Sequence, residues 1–167
     1  MPARPAPASP AIAALVAAGV SHSVHSYRHD PAAPSFGHEA ADALGLDAHV
    51  VFKTLLTEVD GASVCALVPV TASLSLKALA AAHGGKRAVM MDPSRAQRLT
   101  GYVIGGISPL GQRTASPTYI DSSALTHEHV WISGGRRGLE ISIAPMDLID
   151  VTHATVAPIA TGLSARA

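Results

Sequence analysis

The chain has 167 residues, 48% of them hydrophobic and 14% charged, with twelve Lys/Arg balanced by twelve Asp/Glu. That length suits one globular domain with a proper core, and the hydrophobic share excludes a disordered chain. Zero net charge argues against any broad nucleic-acid surface, because such affinity rests on many Lys/Arg–phosphate contacts, and no DNA partner is expected.

Residues 1–8 are rich in Pro and Ala and read as a flexible N-terminal segment, leaving 9–167 as the domain. Met1–Arg4 followed by the apolar Ala11–Val20 faintly imitates a signal peptide. Ser9-Pro10, however, is a good N-cap and first-turn pair, and Gly19 is a natural stop. A helix over Pro10–Ala18 is therefore expected, and a cleaved signal is not. A short strand from Val24 to Arg28 follows, then a helix near His38–Leu44 closed by Gly45. Val50–Val59 and Ala62–Val70 flank Asp60-Gly61 and read as a hairpin. Leu74–Ala82 reads as a helix stopped by Gly84-Gly85, and Arg87–Met91 as a strand. Asp92-Pro93 opens a helix that ends at Gly101. Strands are expected at Tyr102–Ile104, Thr118–Asp121, His129–Ser133 and Leu139–Ile143, then a helix over Pro145–Val151 and a tail. Helices and strands mix without regular βαβ alternation, so the expectation is a single α+β domain on a mixed, curved sheet. No stretch is long enough to span a membrane.

Lys53 sits inside Val50-Val51-Phe52-Lys53-Thr54-Leu55-Leu56. An ammonium is rarely buried without a partner, so Lys53 either snorkels out at an edge or is kept in a pocket for a purpose. On a strand it shares a face with Val51 and Leu55. Glu140 is a second charge in an apolar strand, Leu139–Ile143; an exposed strand face explains it as well as a pairing with Lys53 does. Cys65 is the lone cysteine, in an apolar run. It reads as a buried structural thiol in a reducing cytoplasm, and as a poor nucleophile.

Nine histidines invite a metal reading, but there is no His-Glu-x-x-His and no cysteine pair. The expectation is solvated surface histidines, with no metal and no cofactor. A serine-nucleophile elbow is likewise missing. Two glycine-rich loops remain. Gly134-Gly135-Arg136-Arg137-Gly138 resembles a hairpin turn. In Gly101–Gly111, the pair Gly105-Gly106 would let backbone N–H groups approach a ligand oxygen, although a purely structural turn is the better explanation of an isolated Gly-Gly.

Four segments together carry a resemblance. His25-Ser26-Tyr27-Arg28-His29-Asp30-Pro31, Val51–Leu56, Thr100–Gln112 and Ser133–Glu140 strongly resemble the YbaK/EbsC family, in order, over about Ile12 to Ile159. These are free-standing relatives of the editing domain inserted in bacterial prolyl-tRNA synthetases. The resemblance implies an α+β domain on a barrel-like sheet flanked by short helices. It also implies hydrolysis of the ester joining a wrong amino acid to the 3′ acceptor end of a tRNA. The Gly105–Gln112 loop resembles the branch that clears Cys-tRNA(Pro), and less selectively Cys-tRNA(Cys). An alanine-editing deacylase or a non-catalytic tRNA-binding regulator are the alternatives.

Carried over by resemblance, the family's lysine falls on Lys53, with Gly105 and Gly106 as the catalytic loop. Tyr27, Thr54, Ser108, Ser133 and Glu140 fall on substrate-binding positions. Glu140 stands where the family pattern has aspartate, one methylene shorter. The resemblance further implies attack by the substrate's own thiol, giving a cyclic thiolactone, and prolyl-tRNA synthetase as a partner. Lys86, Arg87, Arg95, Arg98, Arg113, Arg136 and Arg137 are the cations available for a modest tRNA patch.

Overall fold

The structure, a computed structural model, describes residues 8–162, so most of the N-terminal segment read as flexible lies outside the described residues. In chain order the elements are α1 (Pro10–Ala18), β1 (Ser23–Ser26), α2 (Phe36–Leu44), β2 (Phe52–Val59), β3 (Ala62–Pro69), β4 (Ser73–Leu74) and α3 (Leu76–His83). They continue with β5 (Ala88–Met90), α4 (Pro93–Thr100), β6 (Thr118–Asp121), β7 (Val130–Ser133), β8 (Leu139–Ile143), α5 (Pro145–Thr152), β9 (Thr155–Ala157) and β10 (Ala160–Thr161).

Local chemistry places most helix ends. The hydroxyl of Ser9 accepts from the Ile12 amide, Ser35 from His38, and the Asp92 carboxylate from Arg95. Gly19, Gly45, Gly84 and Gly101 end their helices with left-handed φ, where a side chain would be strained. The β2–β3 hairpin turns on Asp60 and Gly61, both at positive φ, as a type I′ turn requires.

Among the described residues the strands form three sheets. The largest runs β5-β2-β3-β6-β9, with β3–β6 and β6–β9 parallel and the rest antiparallel; β1-β8-β7 is a second, and β10-β4 a third. A parallel bridge between Val51 and Trp131 joins the second sheet to the start of β2. The sheets do not close, so the domain is α+β and mixed but falls short of a barrel.

The large sheet is covered on both faces. Phe52, Leu56, Cys65, Leu67 and Ile120 pack with Leu15 of α1, Ala96 of α4 and Ile132 and Ile141 of the second sheet. Val59, Val64, Ala66, Val68 and Tyr119 pack on Leu79 and Ala80 of α3.

Four expectations need correction. Tyr102–Ile104 is a turn, not a strand. Gly101 enters it at φ +79°, the Ile104 amide donates to the Gln97 side chain, and the Tyr102 hydroxyl is anchored on the Leu110 carbonyl at 2.7 Å. The expected tail contains β9 and β10, which exist only because β6 and β4 offer them edges. Both faces of β8 are covered, so Glu140 is buried rather than on an exposed face. Several histidines are engaged rather than freely solvated. His29 pairs with Glu39 at 2.8 Å, His25 stacks on Trp131, and His83 meets the Tyr119 hydroxyl at 2.8 Å.

Candidate active site

β5 pairs with β2 only at Thr57–Val59, and the Met91 amide reaches the Leu56 carbonyl, so along Phe52–Leu55 that edge of β2 has no β5 residue paired with it. An open edge in a protein interior exposes backbone polar groups and leaves room beside them. Here the room is a cavity of about 540 Å³, floored by β2 and walled by Phe36, Met90, Met91, Ile104 and Ile107. That volume lies within the usual range for small-ligand sites, about 300–1,000 Å³.

Lys53 and Glu140 both line this cavity, and no ion pair joins them or holds Lys53 to any other carboxylate among the described residues. Lys53 is half-buried, and loss of hydration pushes its pKa below the ordinary lysine value. Glu140 is 8% exposed and its Oε2 has no hydrogen-bond partner among the described residues. Burial alone pushes its carboxyl up to about 8, so it is mostly neutral at pH 7. The expected Lys53–Glu140 pair therefore does not form. The two instead face a common space, each lacking the counter-charge it would need if ionised. The Thr54 hydroxyl, on the same floor, is also buried and unpartnered.

Gly105 enters the wall at φ +85°, and a Cβ there would lie 2.8 Å from the Phe36 ring. Glycine is required twice over, by conformation and by close approach. No acceptor among the described residues takes the Gly105 amide, whereas the Gly106 amide donates to the Val103 carbonyl at 2.9 Å. Gly106 packs instead on the backbone of Arg136, where its missing side chain permits the contact. Phe36 itself is held by the Arg137 guanidinium, 4.8 Å from its ring centroid, while Arg137 Nε donates to the Ile104 carbonyl at 2.9 Å. The turn before β8 thus braces the loop and the aromatic wall together.

Five of the eight residues expected from sequence, Lys53, Thr54, Gly105, Ser133 and Glu140, line the cavity. Gly106 sits behind the wall. Ser108 is fully buried, its hydroxyl accepting from the Leu110 amide. Tyr27 is not on the wall, but it lies close enough to Glu140 for that carboxylate's charge to help raise its pKa, after the larger effect of burial. Sequence reasoning missed Phe36, Met90 and Met91. No local pattern sets them apart from ordinary core residues, and only the open edge of β2 brings them together.

The sequence pattern of the aminoacyl-tRNA editing domain matches residues 30–151. The chain belongs to that editing family. Within it, a protein of Enterococcus faecalis assigned as the Cys-tRNA(Pro)/Cys-tRNA(Cys) deacylase EbsC is 35% identical over 122 residues, 72% of this chain and 74% of that one. A solved structure described as a trans-editing enzyme for prolyl-tRNA synthetase superposes with a TM-score of 0.83 at 28% identity, over 95% of this chain and all of that one. A scaffold protein used to present grafted epitopes shares the fold at TM-score 0.82 and 27% identity, covering 92% of this chain and 96% of its own. Among the described residues of this editing-family chain, no helix is long and apolar enough to cross a membrane.

Proposed function

We propose that this chain is a trans-editing aminoacyl-tRNA deacylase that clears cysteine from tRNA(Pro), and less selectively from tRNA(Cys), in the cytoplasm and alongside prolyl-tRNA synthetase. The reading rests on one observation above the others: an apolar cavity that keeps a half-buried lysine without a counter-ion, beside a glycine amide without an acceptor. Its substrate specificity follows the likeness to the enterococcal protein.

An aminoacyl ester is already activated, so the protein must mainly position it and stabilise charge developing on the carbonyl oxygen. Lys53 acts as a fixed cation at the terminal ribose, phosphate or ester carbonyl, and the Gly105 amide points its donor at the same oxygen. Glu140 Oε2 and the Thr54 hydroxyl, unsatisfied in the free protein, receive the amino acid's α-ammonium and the adenosine hydroxyls. Tyr27 and Ser133 orient Glu140 and the bound amino acid.

Among the described residues the cavity wall carries no cysteine and no histidine. Cys65 is fully buried, away from the wall, and burial pushes its thiol up to about 12. Attack by the substrate's own thiol, which the family likeness implies, suits a wall without such a nucleophile. The thiol sulfur bonds to the ester carbonyl carbon, the carbon–oxygen bond to the ribose breaks, and the thiol proton ends on the released ribose hydroxyl. The cyclic thiolactone then opens with water.

Deacylation of Cys-, Ala-, Ser- and Pro-tRNA(Pro) by wild type and Lys53→Ala tests this. Cys-tRNA(Pro) should be cleaved fastest, Ser-tRNA(Pro) slowly, and none by the variant at a comparable rate. Full activity of Lys53→Ala would sink the assignment, and rapid loss of serine would replace thiol attack by water. Co-migration with prolyl-tRNA synthetase and tRNA on gel filtration tests the partnership.

A further inference from the structure

From Ser94 to Pro117 the chain carries three arginines and no acidic residue. Arg95 is paired with Glu58. Arg98 and Arg113 are exposed and carry no ion pair among the described residues. They line a second concavity, about 400 Å³, together with Ser94, Gln97, Gly101, Tyr102 and Val103. Among the described residues, no carboxylate contributes to its wall. Gly101, at φ +79°, brings the turn to within 3.7 Å of the Arg113 side chain, measured from where a Cβ would stand.

Capping α4 does not account for these arginines. The Gln97, Leu99 and Thr100 carbonyls accept the backbone amides of Gly101, Thr114 and Arg113. The guanidiniums are thus two forks of donors without acceptors, a geometry matched by a phosphate oxygen pair. Only the turn from Val103 to Gly105 separates this groove from the reactive cavity, since Val103 lines the one and Ile104 and Gly105 the other. Two residues span at most about 7 Å. Stacked nucleotides repeat about every 3.4 Å along a strand, so the groove lies one or two nucleotides from the cavity wall.

We propose that the Arg98–Arg113 groove binds a backbone phosphodiester of the tRNA's single-stranded acceptor end, upstream of the aminoacylated nucleotide. This rests on the editing reading above and adds the place where the strand is gripped. It accounts for how a chain of zero net charge holds RNA: one paired-arginine clamp beside the cavity replaces a broad basic face.

The test is a fluorescence-anisotropy titration of a labelled acceptor-stem hairpin ending in CCA, with wild type and Arg98→Ala/Arg113→Ala, over a series of salt concentrations. The variant should bind about tenfold more weakly. Its log Kd should depend less steeply on log salt, by about 0.7, the release expected for one single-strand phosphate. Hydrolysis of cysteinyl-adenosine, which has no upstream phosphate, should keep the wild-type kcat/KM. An unchanged Kd and salt slope would overturn the proposal, as would an equal loss on cysteinyl-adenosine, which would make the arginines supports of the loop. Wild-type protein that cleaves neither Cys-tRNA(Pro) nor cysteinyl-adenosine would refute the editing reading instead, and the anisotropy result would stand apart from it.

Discussion

Glu140→Gln tests the electrostatics of the cavity without touching its shape. In the folded protein the carboxyl titrates at about 8, against 4.5 for the unperturbed group. A folded pKa above the unfolded one means that the native state binds more protons between those values. Stability from this group is therefore full below pH 4.5 and is lost as pH rises toward 8. The slope is about 1.4 kcal/mol per pH unit, or about 2.7 kcal/mol between pH 5 and pH 7. Glutamine cannot ionise, so its advantage over wild type should grow by that amount, about 5–11 °C in Tm for a domain of this size. At pH 5, where the wild-type carboxyl is neutral, the two should melt close together. Urea or thermal denaturation of both proteins at pH 5, 6 and 7 reads the difference directly, and groups shared by both cancel. A difference that stays flat across this range would refute the reasoning: it would mean that water or a partner relieves the carboxylate in solution.

The same variant should lose the part of the kcat/KM profile that rises as Glu140 ionises near pH 8, because only the carboxylate pairs with an α-ammonium; an identical profile for both proteins would remove Glu140 from substrate binding. Lys53→Ala breaks no ion pair and relieves a desolvated ammonium, so Tm should hold or rise while deacylation is lost; a steep fall in Tm would mark Lys53 as structural. Gly105→Ala places a side chain at φ +85° and 2.8 Å from the Phe36 ring. It should cost about 1–2 kcal/mol in stability and most of the activity, and full turnover would show that the loop tolerates displacement. Cys65, with no exposed surface, should resist thiol reagents in the native protein at pH 8 and react only on unfolding; rapid native labelling would contradict the packing.

Where the sequence was most legible, the cause lay within a few residues. Ser9-Pro10 with Gly19, and Asp92-Pro93 with Gly101, mark helix ends because a cap satisfies amides three positions away and a left-handed stop needs only its own φ. Asp60-Gly61 marked its hairpin for the same local reason. Lys53 announced itself because a charge in an apolar strand is anomalous whatever surrounds it. The family likeness was legible because four motifs keep their order along nearly the whole chain.

Tertiary structure decided everything that depends on what lies opposite. Alternation along β8 does not reveal that both its faces are covered, so the burial of Glu140, and with it a carboxyl poised near neutrality, came only from packing. β9 and β10 needed edges contributed by β6 and β4, far away in sequence. The Gly105 and Gly106 amides look equivalent in sequence, and the Val103 carbonyl separates them by taking one. Above all, the cavity exists because β5 stops short along β2. Its length is set by long-range pairing, which no local pattern of residues records.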